Sequence, residues 1–406
     1  MWQYGKLPDE WQIKKIGEYT SVITDYVANG SFAALAENVN YKSEPGYAVL
    51  VRLTDYNNGF EGDFVYIDEH AYEFLSKSKL YGGEIIISNV GANVGTVFKC
   101  PKLERKMSLA PNAIMLKTQG NDDFYYYWFT SRKGQHSLQS IVTGSAQPKF
   151  NKTNFRELLV PVPPLNVQEK IAESLSHIDR KIALNKLLNK NLEQQLQLLY
   201  EQLVYMIKGE IVELSSIIEV RDGTHASPKP KKNGFPLVTS KHLLPFGVDL
   251  SSCNLISQED YNKINERSKV DTYDILLSMI GTVGLVSLVI ENPVSYAIKN
   301  VGLFKTSKRP DLYAFILPYL KSKETAQHIE RTLAGSTQKY ISLSELRKMP
   351  IILPAEKQLS DYNEIAKPLI NQIITLTKEN GTLIVLRDTL LPKLMSGEID
   401  ISGIDI

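Results

Sequence analysis

The sequence contains few cysteines and no cluster of metal-binding side chains. Its 406 residues include only two cysteines, Cys100 and Cys253, which lie far apart and form neither a metal-binding nor a redox motif. The six histidines show no close pairing of the kind that zinc sites use. This composition argues against a disulfide-stabilised secreted protein, and it favours a reducing cytoplasm.

Long apolar runs are also missing. The longest, such as the run from Val283 to Ile290, are far shorter than the ~20 residues that a membrane-spanning helix needs. The N-terminal residues Met1 to Lys6 lack the apolar core of a signal peptide. We therefore expect no membrane segment. The net charge is only +1, so any surface that binds nucleic acid must be a local patch.

Motifs for catalysis and cofactor binding are absent as well. The segment 91–96 contains glycines but does not end in the Gly-Lys-Ser/Thr of a phosphate-binding loop, so tight turns explain its glycines better. No dinucleotide-binding fingerprint follows a strand pattern, and no serine lies in a nucleophile elbow. We therefore expect a protein that is not an enzyme and that binds no cofactor itself.

One pattern of residues occurs twice along the chain. Four segments recur in the same order about 190 positions apart, which indicates a duplicated domain. The pairs are 82–91 with 272–281, Gly144–Phe150 with Gly335–Tyr340, Val162-Pro163 with Leu353-Pro354, and 208–211 with 396–399. Matching the second pair by residue type places Lys149 opposite Lys339.

Two long helices are predicted from heptad patterns. Apolar residues recur at alternating steps of four and three from Asn166 to Lys208, and again from Glu356 to Leu394. The first helix alone would span roughly 60 Å, which is more than a compact domain uses internally. Two such helices satisfy one another most simply by antiparallel pairing, and pairing with another protein is the alternative.

The centre of the heptad seam is polar. Asn185 and Asn189 fall where leucine or isoleucine is expected, and Asn380 does the same in the second helix. An asparagine in a buried seam fixes the register of the helices, because it must find another polar group. The alternative is that the seam shifts onto Leu184 and Leu188 here.

The fold class that we predict is α+β, because short β-patterned runs separated by Gly, Asn, Asp and Pro outnumber the helical patterns in each repeat. We expect two duplicated mixed α/β domains, separated by two long helices that pair as an antiparallel coiled coil. The predicted boundaries are 1–164 for the first domain, 165–208 for the first helix, 209–354 for the second domain, 355–395 for the second helix, and 396–406 for a tail that closes toward the first domain.

Two loop segments, 24–32 and 220–229, occupy equivalent places early in each repeat. Both combine small hydrogen-bonding side chains with a glycine, which is typical of a loop that approaches a polar ligand. Between Arg221 and Lys241 there are five lysines or arginines and one acidic residue, so a phosphate-facing patch is predicted. The alternative is an Asx-type turn that caps the next element, with the lysines merely solvated.

The Gly-Ser-x-Gln segments offer a second set of candidates. Glutamine can pair with adenine in the major groove, and lysine can contact a phosphate or a guanine. Equally, the serine and glutamine could attach a loop to the start of the long helix.

Taken together, these features resemble the specificity subunit of type I restriction-modification enzymes, over essentially the whole chain. The resemblance rests on Leu7-Pro8-Asp9-Glu10-Trp11, on the segments 25–32 and 222–228, on both Gly-Ser-x-Gln elements, on residues 162–172 and on residues 390–394. It implies two target-recognition domains that each read half of a bipartite sequence in double-stranded DNA, with the helices acting as a ruler between them.

The resemblance also implies partners and site residues. Two DNA adenine methyltransferase subunits would dock on the helices, motor-nuclease restriction subunits would join them, and S-adenosylmethionine, ATP and Mg²⁺ would be bound by these partners. Other interpretations are the specificity module of a differently organised restriction system and a helical scaffold that binds protein or RNA. The candidate DNA-binding residues are Tyr26, Asn29, Ser31, Phe32, Gln147 and Lys149 in the first domain, and Arg221, Thr224, His225, Lys229, Lys231, Gln338 and Lys339 in the second.

Overall fold

The computed structural model describes residues 6–335 and 339–403, which form two compact units. Unit 1 contains the chain up to Lys181 together with the residues from Leu383 onward, and unit 2 contains Ile182 to Thr382. Each long helix contributes residues to both units. Within the described residues, no helix combines the length and the apolar character that crossing a bilayer requires.

Unit 1 is a mixed α/β domain. Its strands form two four-stranded sheets, in the orders β2-β9-β6-β7 and β4-β3-β8-β5, and the ribbon β1-β10. The strands are β1 (Gln12–Lys15), β2 (Thr20–Asp25), β3 (Ala48–Val51), β4 (Val65–Ile67), β5 (Lys79–Leu80), β6 (Ile85–Ser88), β7 (Val97–Lys99), β8 (Lys106–Leu109), β9 (Ala113–Thr118) and β10 (Leu159–Val162). The helices are α1 (Phe32–Asn38), α2 (Leu53–Asn57), α3 (Glu69–Phe74), α4 (Asp122–Thr130), α5 (Arg132–Ser140), α6 (Lys152–Arg156) and the long helix α7 (Leu165–Met206).

Unit 2 repeats this plan with a smaller second sheet. Its sheets have the orders β12-β18-β15-β16 and β14-β13-β17, and β11-β19 forms the ribbon. The strands are β11 (Ile211–Glu213), β12 (Val220–Asp222), β13 (Phe235–Val238), β14 (Asn254–Ile256), β15 (Ile275–Ser278), β16 (Val286–Leu288), β17 (Ala297–Ile298), β18 (Val301–Phe304) and β19 (Pro350–Ile352). The helices are α8 (Gln258–Ser268), α9 (Tyr313–Leu320), α10 (Lys323–Thr332), α11 (Leu343–Arg347) and the long helix α12 (Glu356–Met395).

The main sheets of the two units are built alike, which confirms the predicted duplication. In each sheet, neighbouring strands are antiparallel. Strand β6 of unit 1 lies in an interior position beside β9, and strand β15 of unit 2 lies in an interior position beside β18. Both interior strands are continuous apolar runs because both of their faces are covered. In β6, Ile85 and Ile87 pack among the aromatic side chains of α4, whereas Ile86 packs toward the second sheet. This alternation follows from the two-residue period of a strand.

The long helices pair antiparallel within unit 2. Asn185 donates from Nδ2 to Asn380 Oδ1 at 3.0 Å, and Asn189 donates to Thr377 Oγ1 at 3.1 Å, so later residues of α7 meet earlier residues of α12. The predicted antiparallel coiled coil is therefore confirmed. Asn185 is buried, whereas Leu184 and Leu188 are 63% and 41% exposed. The seam thus remains on the asparagines and does not shift onto the leucines.

The buried amides give a direct test of this seam. Replacing Asn185 with leucine should lower the free energy of unfolding by about 1–3 kcal/mol, because Asn380 is left buried without its partner. Replacing both asparagines with leucine should recover most of that loss. Urea unfolding of the full chain, of Asn185→Leu, of Asn380→Leu and of the double variant measures this double-mutant cycle. Equal destabilisation by the single and double variants would contradict the pairing.

The described part of the C-terminal tail packs within unit 1. Ile401 is buried in the same core as Trp11 and Ile171, and Lys170 Nζ donates to the carbonyl oxygen of Ser402 at 2.6 Å. Gly397 has a φ of +70°, and a Cβ atom there would lie 2.4 Å from a ring carbon of Pro8. Glycine is needed at this position both for its backbone angle and for the close approach.

Candidate nucleic-acid interface

The first candidate loop begins at a buried aspartate. Strand β2 ends at Asp25, whose carboxylate accepts a hydrogen bond from the backbone N–H of Ala28 at 2.9 Å. Lys152 of α6 donates from Nζ to the same carboxylate at 2.8 Å. Asp25 therefore caps the 3₁₀ turn that follows, and a lysine from a distant part of the chain neutralises its charge.

Three of the predicted DNA contacts have internal roles in this loop. Tyr26 is only 7% exposed, and burial raises the pKa of its phenol well above the ordinary value. Asn29 donates from Nδ2 to the carbonyl of Tyr26 and to Ser78 Oγ, and its Oδ1 accepts from the N–H of Lys77. Ser31 caps α1 through the N–H of Ala34 at 3.2 Å. The Asx-turn interpretation thus describes this segment, in which the polar groups of Asn29 and Ser31 bind other parts of the protein and Tyr26 is buried.

Phe32 has the opposite environment. It is the first residue of α1 and is 83% exposed at a cleft of about 510 Å³ that Val39, Tyr41 and Val90 also line. Val90 forms a β-bridge with Lys149 in the hairpin that carries Gln147. Gln147 and Lys149 are both exposed. Phe32 therefore lines this cleft, and the hairpin that carries Gln147 and Lys149 is bridged to a second lining residue, Val90.

The second candidate loop also begins at a buried aspartate, at the equivalent strand end. Strand β12 ends at Asp222, which accepts from Arg267 Nη2 at one carboxylate oxygen and lies 2.9 Å from His225 Nε2 at the other. The Nδ1 atom of His225 lies 2.8 Å from Asn300 Oδ1. Lys299 donates from Nζ to Ser227 Oγ.

Arg267, Lys299 and Asn300 are not among the candidates that the sequence predicts. Lys299-Asn300 separates two buried strands, β17 and β18, and Asn300 has a φ of +54°, so a turn between two apolar runs was the available signal. Arg267 lies in the last turn of α8, where a basic residue is ordinary, so no local signal distinguishes it.

The remaining candidates of this loop differ in whether they bind other groups of the protein or are exposed. Arg221 pairs with Glu219, and hydrogen bonds from Lys308 and Arg221 lower the pKa of that glutamate. Thr224 Oγ1 accepts from the N–H of Ala226 at 3.1 Å, which closes a local turn. The list of exposed candidates in this loop is therefore His225, Lys229 and Lys231.

Gly223 holds the loop against the Lys299-Asn300 turn. A Cβ atom at this position would lie 2.4 Å from the carbonyl oxygen of Ile298. The neighbouring backbone bonds, Thr224 N–H to Ile298 O at 3.0 Å and Asn300 N–H to Thr224 O at 3.2 Å, need this close approach. Glycine therefore lets His225 reach Asn300.

The structure also corrects the register of the two Gly-Ser-x-Gln segments. Lys149 bridges Val90 and Thr143, and the corresponding bridges of unit 2 are made by Tyr340, with Ile280 and Ala334. Tyr340 and not Lys339 is therefore the counterpart of Lys149. Lys339 is exposed beside it, and Gln338 lies outside the described residues.

Comparisons with known proteins agree with this duplicated architecture. The family model described as "Type I restriction modification DNA specificity domain" matches residues 8–194 and 206–384. The MjaIX specificity subunit of Methanocaldococcus jannaschii is 24% identical, with 97% of this chain and 95% of that protein covered. The EcoKI specificity subunit of Escherichia coli is 19% identical, with 97% and 90% covered.

A solved structure shows the same fold. The crystal structure of the type I restriction-modification system S subunit from M. genitalium superposes with a TM-score of 0.55 at 15% identity, covering 97% of this chain and 99% of that chain. The family model accounts for both repeats and for most of the chain. The chain therefore belongs to the type I restriction-modification DNA specificity family.

Proposed function

We propose that each unit of this specificity subunit binds one half of a bipartite sequence in double-stranded DNA. The observation that carries the proposal is the repeated strand end: β2 and β12 each finish at a buried aspartate, and each is followed by a segment that carries exposed aromatic or polar side chains. Residues on such loops can be substituted without disturbing the sheet. This suits a family of proteins that recognise different DNA sequences with the same fold.

The exposed candidates have the chemistry that this function needs. Lysines contact phosphates, glutamine and histidine can reach base edges, and an exposed aromatic ring can lie against a base or a sugar. The residues that we assign to the DNA-facing surface are Phe32, Gln147, Lys149, His225, Lys229, Lys231 and Lys339. As a specificity subunit, the chain recognises DNA and leaves catalysis to other subunits.

The long helices are the proposed docking surface for those subunits. Leu184, Leu187 and Leu188 are exposed on α7, outside the asparagine seam. Contiguous exposed leucines on a helix mark a contact surface. We assign this surface to a DNA adenine methyltransferase, with two such subunits and motor-nuclease subunits in the full complex. S-adenosylmethionine, ATP and Mg²⁺ belong to these partners in this proposal.

Domain exchange tests the assignment of half-sites. Replacing residues 209–354 with the same region of a relative that has a different specificity should change one half of the methylated sequence and leave the other half unchanged. Genome-wide mapping of methylated adenines, with the parent gene, the exchanged gene and no gene, gives the result. Loss of the gene should remove methylation at the bipartite sequence. Methylation that does not depend on the gene, or an exchange that alters both halves, would reject the proposal and favour a scaffold that binds protein or RNA.

A further inference from the structure

Unit 2 contains a connected basic cluster that the sequence does not reveal. Asp222 contacts Arg267 and His225, His225 also contacts Asn300, and Lys299 precedes Asn300 in the same turn. We call these five residues the Asp222 cluster. We propose that the Asp222 cluster binds one phosphate of the DNA backbone, with Arg267 as the main contact. This proposal rests on the proposed function, and it adds a defined ligand and a positioning residue to it.

Asp222 acts here as a positioning residue. Its side chain is almost fully buried, and it accepts from Arg267 on one oxygen and faces His225 on the other. A buried carboxylate needs such partners, since an unpaired buried charge is strongly unfavourable. The same contacts hold the guanidinium and the imidazole in fixed orientations, so less side-chain freedom is lost when a ligand binds.

The basic side chains that contact Asp222 remain accessible to solvent. The side chains of Arg267 and His225 are 62% and 63% exposed, although each contacts a buried carboxylate. Among the described residues, Arg267 donates from Nη2 only, to Asp222 and to the nearby backbone carbonyls. Its Nε and Nη1 groups are therefore free to donate, and a guanidinium has the planar geometry that pairs with two phosphate oxygens.

The charges in the Asp222 cluster favour the binding of an anion. Arg267 and Lys299 supply two positive charges against the single carboxylate of Asp222, before any protonation of His225 is counted. Of the acidic residues near the cluster in sequence, Glu219 is paired with Arg221 and Lys308, and Glu266, which precedes Arg267, is exposed to solvent. The cluster therefore keeps a positive charge, which charge complementarity directs to a phosphate.

The equivalent position of unit 1 lacks these properties. Asp25 also pairs with a cation, but that cation is Lys152, whose side chain is only 29% exposed. The second carboxylate contact in unit 1 is the backbone N–H of Ala28, where unit 2 has the exposed ring of His225. The phosphate contact is therefore specific to the half-site that unit 2 reads.

A phosphate scan on the assembled complex tests the proposal. Target duplexes carry a single uncharged methylphosphonate linkage at successive positions, and affinity is measured at several salt concentrations. For the parent protein, one linkage in the half-site of unit 2 should weaken binding about tenfold. Arg267→Gln should weaken binding to unmodified DNA by a similar factor, reduce the salt slope by about one, and show no further loss at that linkage.

The controls separate this contact from other effects. Arg309→Gln removes an exposed arginine that is paired with Asp311 in the same unit, and it should leave both affinity and salt slope unchanged. Arg267→Lys keeps the charge and should restore the salt slope but only part of the affinity. Thermal unfolding confirms that each variant is folded, and His225→Ala in the same scan replaces Arg267→Gln if that variant is not.

Three results would overturn or redirect the proposal. An unchanged affinity and salt slope in Arg267→Gln would overturn it. A loss confined to one base pair of the target would overturn it as well, because Arg267 would then read a base. Failure of the parent complex to bind duplex DNA at all would instead reject the proposed function, so the two failures are distinguishable.

Discussion

Glutamate in place of both Leu184 and Leu187 is expected to prevent binding of the methyltransferase subunit that we propose as a partner, while leaving the chain folded. These side chains are 63% and 65% exposed on α7, so their replacement removes little buried apolar area from the chain itself. In the complex, however, two carboxylates would be buried without partners, which costs several kcal/mol. The affinity for the methyltransferase should fall by about 100-fold or more.

Co-purification and calorimetric titration with the methyltransferase measure this effect, and thermal unfolding checks the fold. The control is Leu165→Glu, which places one such charge on an exposed leucine at the first residue of the same helix. An acidic residue is favourable in the first turn of a helix, so this variant should be as stable as the parent. If Leu165→Glu and the double variant weakened assembly equally, the docking surface would not be at the leucines of the helix centre.

The second large effect is expected from Lys305. Its ammonium group is buried and contacts the buried carboxylate of Asp274, and it also donates to Asp271 Oδ2 at 2.7 Å. Replacing Lys305 with methionine keeps much of the volume but leaves Asp274 as an uncompensated charge in the core. The free energy of unfolding of unit 2 should fall by about 3–5 kcal/mol, and its unfolding temperature by about 10 °C.

Differential scanning calorimetry of the full chain measures the change. Lys308→Met is the control, because Lys308 pairs with Glu219 at the surface and such pairs contribute about 0–1 kcal/mol. Adding Asp274→Asn to Lys305→Met should recover part of the stability, since it removes the unpaired charge. Equal effects of the Lys305 and Lys308 substitutions would show that burial of the Lys305–Asp274 pair does not increase its contribution to the free energy of unfolding.

The helices and the duplication could be predicted from the sequence because their signals are local. Helix α7 was expected from Asn166 to Lys208 and runs from Leu165 to Met206, since proline before it and glycine after it mark its ends. Periodicity alone does not decide whether Asn185 or its neighbour Leu184 faces the partner helix. The burial of Asn185 beside Asn380 settles it.

The two candidate loops could be predicted from the sequence, but the contacts that anchor them could not. The loops were found, yet their anchors are contacts between residues distant in sequence, such as Asp25 with Lys152 and Asp222 with Arg267. Tyr26, a polar aromatic residue in a predicted loop, is a candidate for DNA contact in the sequence. Its burial depends on how the loop packs. Lys149 was matched with Lys339 by residue type, whereas backbone pairing matches it with Tyr340.

The contact between Asn185 and Asn380 has a mechanical consequence. If one helix slid past the other by seven residues, Asn185 would face Ile373, and both amides would lose their hydrogen-bond partners inside the seam. The work needed for such a slip is about 2–6 kcal/mol, the cost of two buried unsatisfied amides. Within unit 2, the paired segments of the two long helices should therefore resist sliding along their axes and move together.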